Sequence, residues 1–185
     1  MAMSEISERY AKIAGQFTER VTAVPDDAWD NPAPCDGWVA RDVVRHLVEW
    51  MPGLFFGGPG LEPPRPPSVD EDPVGAWEVV RDAIQALLDD PEIAATEFDT
   101  PPGRVTVEQA VDQFGTGDIL VHTWDLARAA GLDETLDASE VHRMFAGMEP
   151  YDEAMRQSGH YGPRVAVPDD ADEQTKLIAF TGRHP

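Results

Sequence analysis

The sequence predicts an all-α fold, and three observations carry that expectation. Apolar residues recur at three- and four-residue spacings through most of the chain, and capping signals stand at the heads of several of those stripes. The one stretch that favours extension, FDTPPGRVT, is short. With 185 residues, 42% of them apolar, the chain can build one domain with a substantial core. No internal repeat marks it, and residues 1–185 read as a single domain.

Ile6, Tyr10, Ile13, Phe17 and Val21 form one stripe of a first helix that ends before Pro25. After the turn-rich NPAPCDG, the segment WVARDVVRHLVEWM aligns Val39, Val43, His46, Leu47 and Trp50 on one face of a second helix. Prolines and glycines from Pro52 to Asp72 predict a long loop, with Leu54, Phe55 and Phe56 available to dock on the body. Asp72 and Pro73 then read as N-cap and first residue of a third helix, whose stripe is Trp77, Val80, Ile84, Leu87 and Leu88 and which Pro91 ends. FDTPPGRVT is a short hairpin or an extended turn. Thr106 and Gln109 have capping-box spacing at the head of a helix running to about Ala130, closed by Gly131 in the left-handed conformation. Asp137 and Glu140 repeat that spacing before a helix that carries Val141, Phe145 and Met148 and reaches roughly Gln157. Leu177, Ile178 and Phe180 predict a short docked segment or a last helical turn.

Charge and cysteine usage narrow the function classes. Thirty-five acidic residues against 14 Lys and Arg give a formal net charge of −21, with no basic run to oppose it. Nucleic acid and anionic membranes are therefore excluded as partners, because phosphates would be repelled. Cys35 is the only cysteine, so no intramolecular disulfide forms. The N-terminal MAMSEISERYAKIAG lacks the apolar core of a signal peptide, and no stretch approaches ~18 consecutive apolar residues. A cytoplasmic protein is expected.

The anomaly is a polar break in the apolar stripe of GDILVHTWDLARAAG, residues 117–131. At about 100° per residue, Val107, Val111, Phe114, Val121, His122, Asp125 and Ala129 fall within roughly 60° of Asp118. A carboxylate facing a core costs several kcal/mol unless it is paired or binds a cation. The i, i+4 spacing of Asp118 and His122 lets the two heads share one ligand, and His46, central on the apolar face of the second helix, supplies a third donor. Three protein ligands leave a coordination position open, as in catalytic metal sites. The competing reading is a hydrogen-bonded core histidine at 46 and a local Asp118–His122 pair with nothing bound. Asp125 reads as a hydrogen-bond acceptor behind the ligands or as a partner of Arg128 or Arg41. Cys35, eleven residues before His46, reads as a packed residue rather than a fourth ligand or a nucleophile. His142, His160 and His184 lie outside any paired arrangement and are expected in solvent, while Trp38, Trp50 and Trp124 lie closest in sequence to the motifs.

Around these residues the sequence resembles the DinB-like (DinB/YfiT) four-helix bundles, and within them the actinobacterial group related to the metal-binding N-terminal domain of mycothiol-dependent maleylpyruvate isomerase. The matching pieces are PCDGWVARDVVRHLV at 34–48, DILVHTWDLARAAG at 118–131 and VPDDADEQTKLIAFTGRHP at 167–185. The resemblance implies a four-helix bundle with a long Pro/Gly-rich loop, a short C-terminal extension and a divalent metal, commonly zinc with nickel as the alternative, held by His46, Asp118 and His122. It further implies a thiol S-transferase or isomerase-like enzyme that activates mycothiol, or another small thiol, against an electrophile. Other readings are a metal-dependent hydrolase and a non-enzymatic bundle binding a metal or small ligand. Catalytic residues other than the ligands are not assigned, and a monomer or homodimer is expected. The isomerases carry an additional C-terminal domain that residues 1–185 are not expected to include, so turnover of maleylpyruvate itself is not expected.

Overall fold

Four long amphipathic stripes cannot bury themselves alone, and in the computed structural model, which describes residues 3–101, 103–157 and 162–185, they close on one another. The helices are α1 (Glu5–Ala23), α2 (Ala40–Phe55), α3 (Pro73–Asp89) and α6 (Thr116–Ala130). Helix α1 packs on α3 and α6, and α2 packs on the same two, so the four form a ring around one core. The predicted stripes are the buried ones: Tyr10, Ile13 and Phe17 of α1, Val43 and Leu47 of α2, and Trp77, Val80 and Ile84 of α3. Phe17 meets Trp77 edge-to-face at 4.7 Å, and the Trp77 indole N–H donates to Thr18 Oγ1 at 2.8 Å, which satisfies its polar edge inside the bundle.

Smaller elements complete the chain. A single turn, α4 (Pro91–Ala94), leads to an antiparallel hairpin of β1 (Glu97–Thr100) and β2 (Gly103–Thr106), so FDTPPGRVT takes the hairpin alternative. Thr106 and Gln109 make both bonds of the capping box at the head of α5 (Val107–Ala110). Beyond α6 follow α7 (Ala138–Met148), α8 (Asp152–Gln157) and α9 (Glu173–Phe180), the last of which turns the predicted docked segment into a helix against α7. Among the described residues no helix is long and apolar enough to cross a membrane.

Three local expectations are corrected. Pro52 does not begin the loop, because α2 continues through it to Phe55. In the last turn, its missing N–H removes one bond, to the Val48 carbonyl. Phe55 and Phe56 are buried and anchor that end. The Pro/Gly-rich stretch that follows is fastened by Arg41, donating to the Val69 and Asp70 carbonyls, and by Arg45 on the Asp70 carboxylate at 2.8 Å. The long helix predicted from Thr106 to Ala130 contains a π turn, Val111–Gly115, where Thr116 N–H returns to the Val111 carbonyl five residues back. A uniform 100° wheel across that turn is therefore only approximate. Gly131 closes α6 with φ +68°, as its left-handed position requires. The helix expected to reach Gln157 breaks after Met148 into a tight turn, Glu149–Tyr151, that accommodates Pro150 before α8.

Only half of the second predicted capping box forms. Asp137 accepts from the backbone N–H groups of Ser139 and Glu140, but the Glu140 carboxylate goes to Arg9 of α1 at 2.6 Å instead of returning. Arg9 also pairs with Asp112 of the π turn, so one guanidinium ties α7 and that turn to α1. Burial pulls the Asp137 carboxyl upward, but the Lys12 ammonium at 2.7 Å, Ser139 and the Glu140 N–H outweigh it and hold it down at about 2. Asp137→Ala is expected to destabilise the fold by about 0.5–2 kcal/mol at neutral pH. Because the folded carboxyl titrates below its unfolded value of ~3.9, this contribution is present above that value and is lost as pH falls through about 2. Urea unfolding of both proteins should show a stability gap that narrows towards pH 2, and a gap of constant size would contradict a charge-assisted cap.

Candidate metal centre

The site lies on the seam between α2 and α6. The chain entering α2 is held in place by bridging of Pro32 with Val39 and by Asn31, which donates to the Ala129 carbonyl at 3.2 Å. Asp42 accepts the Val39 N–H at 3.0 Å and so fixes the first turn. His46 and Trp50, one turn apart, then face Asp118 and His122, one turn apart on α6. His46 Nε2 lies 3.2 Å from Asp118 Oδ2, and the Trp50 indole N–H donates to the same oxygen at 3.0 Å. His122 Nε2 lies 3.5 Å from Asp118 Oδ1. The imidazole centroids are 4.8 Å apart, and the Trp38 ring stacks on His122 at 5.9 Å and an interplanar angle of 19°.

Behind this group lies a second layer. His122 donates from Nδ1 to Asp125 Oδ2 at 2.8 Å, which fixes the orientation of the ring and turns Nε2 towards Asp118. Arg183, in the C-terminal segment, grips the same carboxylate, Nε to Oδ1 at 3.1 Å and Nη2 to Oδ2 at 2.8 Å. Cys35 Sγ is 3.7 Å from Asp125 Oδ2 and 3.4 Å from Arg183 Nη2. Exposure grades across the site. The His46 and Asp118 side chains are 32% and 30% exposed, His122 5%, and Asp125 0%.

Burial alone would raise the Asp118 carboxyl, but His122, His46 and Trp50 reverse this and hold it below the usual carboxylate range. Asp125 is lowered against the same burial by His122 and Arg183. Burial disfavours the His122 imidazolium, yet Asp118 and Asp125 together raise its pKa above the ordinary value. Burial and the Asp125 carboxylate push the Cys35 thiol up to about 11, so at neutral pH it is protonated and a poor nucleophile.

The donors fit a divalent cation. One ligand atom from each of His46, Asp118 and His122 lies within 4.8 Å of the others. Bonds of about 2.0–2.2 Å place neighbouring ligand atoms about 3.4 Å apart around a tetrahedral ion, and His46 Nε2 at 3.2 Å from Asp118 Oδ2 and His122 Nε2 at 3.5 Å from Asp118 Oδ1, one on each carboxylate oxygen, are spaced on that scale. The set of two imidazoles and a carboxylate suits zinc or another borderline metal.

The three residues singled out from spacing are thus brought together. Asp125 has the acceptor role, but its cationic partner is Arg183. Arg128 pairs instead with Glu134 at 2.6 Å, and Arg41 lies over Trp29. The Asp125–Arg183 pair spans 58 residues, and no local spacing announces it. Trp38 and Trp50 wall the site, whereas Trp124 is buried with Arg128 over its ring. His142 is exposed as expected but does pair, with Glu173 at 2.9 Å. His184 is exposed, and His160 lies outside the described residues.

Two uncharacterized proteins of Mycobacterium tuberculosis, MT0763 of strain CDC 1551 and Rv0738 of strain H37Rv, are each 27% identical to this chain over 171 residues, covering 90% of it and 91% of each relative. No solved structure matches the chain. Residues 10–53, from the second turn of α1 through most of α2 and including His46, match the family described as mycothiol maleylpyruvate isomerase N-terminal domain.

Proposed function

We propose that the chain binds one divalent metal, zinc in the first place, through His46, Asp118 and His122, and uses it as a thiol-dependent transferase or isomerase-like enzyme with mycothiol or a similar small thiol. The observation that carries the reading is that one ligand atom from each of the three lies within 4.8 Å of the others, with one side buried and the other, at His46 and Asp118, open to solvent. The match of residues 10–53 to a mycothiol-related family supports the choice of thiol. A bound divalent cation would supply Lewis acidity, lowering the pKa of a thiol so that it is presented as the thiolate.

The remaining work falls to the chain. Asp125 holds the His122 ring in the tautomer whose Nε2 faces the other donors, and Trp50 holds the Asp118 carboxylate from the α2 side. Trp38 covers the His122 ring and keeps water from that face. With both imidazoles neutral, the two aspartates and Arg183 leave the cluster with one net negative charge. A divalent cation together with one anionic small ligand therefore completes a neutral, half-buried cluster, which favours an anion such as a thiolate over a neutral ligand. Cys35, protonated beside Asp125, is not the nucleophile.

Elemental analysis of untagged protein should find about one equivalent of metal in the wild type and close to none in His122→Ala. Near-zero metal in both, after purification without chelator and incubation with zinc, would remove the metal reading. Trp50→Phe keeps an aromatic ring but removes the hydrogen bond to Asp118. It should weaken zinc by about 10–100-fold in a competition titration while the helical circular dichroism stays unchanged. Metal-loaded wild type should also accelerate consumption of a small thiol by an electrophile. Full metal occupancy with no acceleration for any thiol and electrophile pair tested would reduce the protein to a binding module.

A further inference from the structure

Two donor sets share His122. One ligand atom from each of Cys35, His122 and Asp125 also lies within 4.8 Å of the others, so a thiol, an imidazole and a carboxylate stand together directly behind the first set. On donor chemistry alone this sulfur-containing set would suit a thiophilic cation at least as well as His46, Asp118 and His122.

What distinguishes the two is Arg183. Its planar fork takes both oxygens of the fully buried Asp125 and reaches Cys35 Sγ, while its own side chain is only 15% exposed. The backbone aims it there. At the end of α9, Gly182 adopts φ +90° and bonds from its N–H to the Ala179 carbonyl at 3.1 Å, and the Arg183 N–H bonds to the Ile178 carbonyl at 3.2 Å. These two bonds make the glycine-dependent helix stop that reverses the chain, and the reversal returns residue 183 to α6.

We propose that Arg183 is a positioning residue that decides which of the two donor sets is open to metal. Its guanidinium fills the place of a cation between Asp125 and Cys35, and by fixing the plane of the Asp125 carboxylate it holds His122 with Nδ1 inward and Nε2 towards His46 and Asp118. A fixed positive charge repels a second cation at that distance, and Arg is suited to the role because its fork is flat, bidentate and permanently charged. The proposal rests on the reading of His46, Asp118 and His122 as the metal site.

Cobalt(II) is the probe metal, added to the full chain, because a thiolate ligand gives it a charge-transfer absorption in the near ultraviolet that nitrogen and oxygen ligands do not. Wild type should lack that band, Arg183→Gln should gain it, and Arg183→Gln combined with Cys35→Ser should lose it again. In parallel, nitrogen NMR of metal-free protein labelled at histidine, recorded at a pH where the His122 ring is neutral, should show wild-type His122 as a single tautomer protonated on Nδ1, and both tautomers in Arg183→Gln. A thiolate band already in wild type, a neutral wild-type His122 protonated on Nε2, or an Arg183→Gln protein with an unchanged tautomer overturns the proposal. The first two outcomes are read on wild type and hold even where the variant does not fold. Because the tautomer is read without metal, failure of wild type to take up cobalt would count against the metal reading, while the NMR result judges Arg183 separately.

Discussion

The structure around the site depends on one buried carboxylate. Asp125 has no exposed side-chain surface, and an ionised group in that position is tolerated only if its oxygens are fully engaged. Besides the Cys35 thiol, it is engaged by a neighbouring turn of its own helix through His122 and by the far end of the chain through Arg183. The first bond fixes a ring and the second fixes the chain end. Charge burial thus makes the C-terminal segment a structural part of the α6 site, and among the described residues no buried side-chain nitrogen or oxygen is left without a partner.

The bundle supplies what that arrangement needs, which is rigidity on both sides of the seam. Helices α2 and α6 do not rely on each other alone, because each also packs on a neighbour in the ring, α2 on α3 and α6 on α1. Large side chains fill the interior away from the site, with Phe17, Trp77 and Ile84 fully buried, while the seam carries the imidazoles and indoles. Polar residues sit where two helices can satisfy them from opposite sides: His46 and Trp50 from one, Asp118 and His122 from the other. A single helix could offer only the i, i+4 pair.

The parts of this architecture that were legible in the sequence are those set by local spacing. The four stripes, the Thr106–Gln109 box, the cap at Asp72 and the left-handed Gly131 each follow from chemistry within a few residues. The triad was legible for the same reason, since Asp118 and His122 are one turn apart and His46 interrupts an otherwise apolar face. What was hidden depends on distant contacts or on backbone geometry that leaves no periodic signature. Pro52 inside α2 is tolerated because Phe55 and Phe56 find a core beyond it. Glu140 abandons its capping role because Arg9, 131 positions away in sequence, offers a charge. The π turn shifts helical phase without any residue type that marks it. Arg183 looks like one more basic residue in a polar tail until α9 folds back.

Exposure and charge together separate the roles of the two aspartates on α6. Asp125 is closed, its charge neutralised by a guanidinium and its proton partner fixed. Asp118 is opened by its position nearer the solvent edge, where its contacts are two imidazoles and an indole N–H rather than a permanent cation. Both carboxyls are held in the ionised range, one by a cation the chain provides and the other by groups that can polarise but do not cancel its charge. The carboxylate without a permanent cation beside it is therefore Asp118, on the face open to solvent. The buried pair makes that separation possible, because an unpaired Asp125 would place a second uncompensated charge on the other side of the His122 ring.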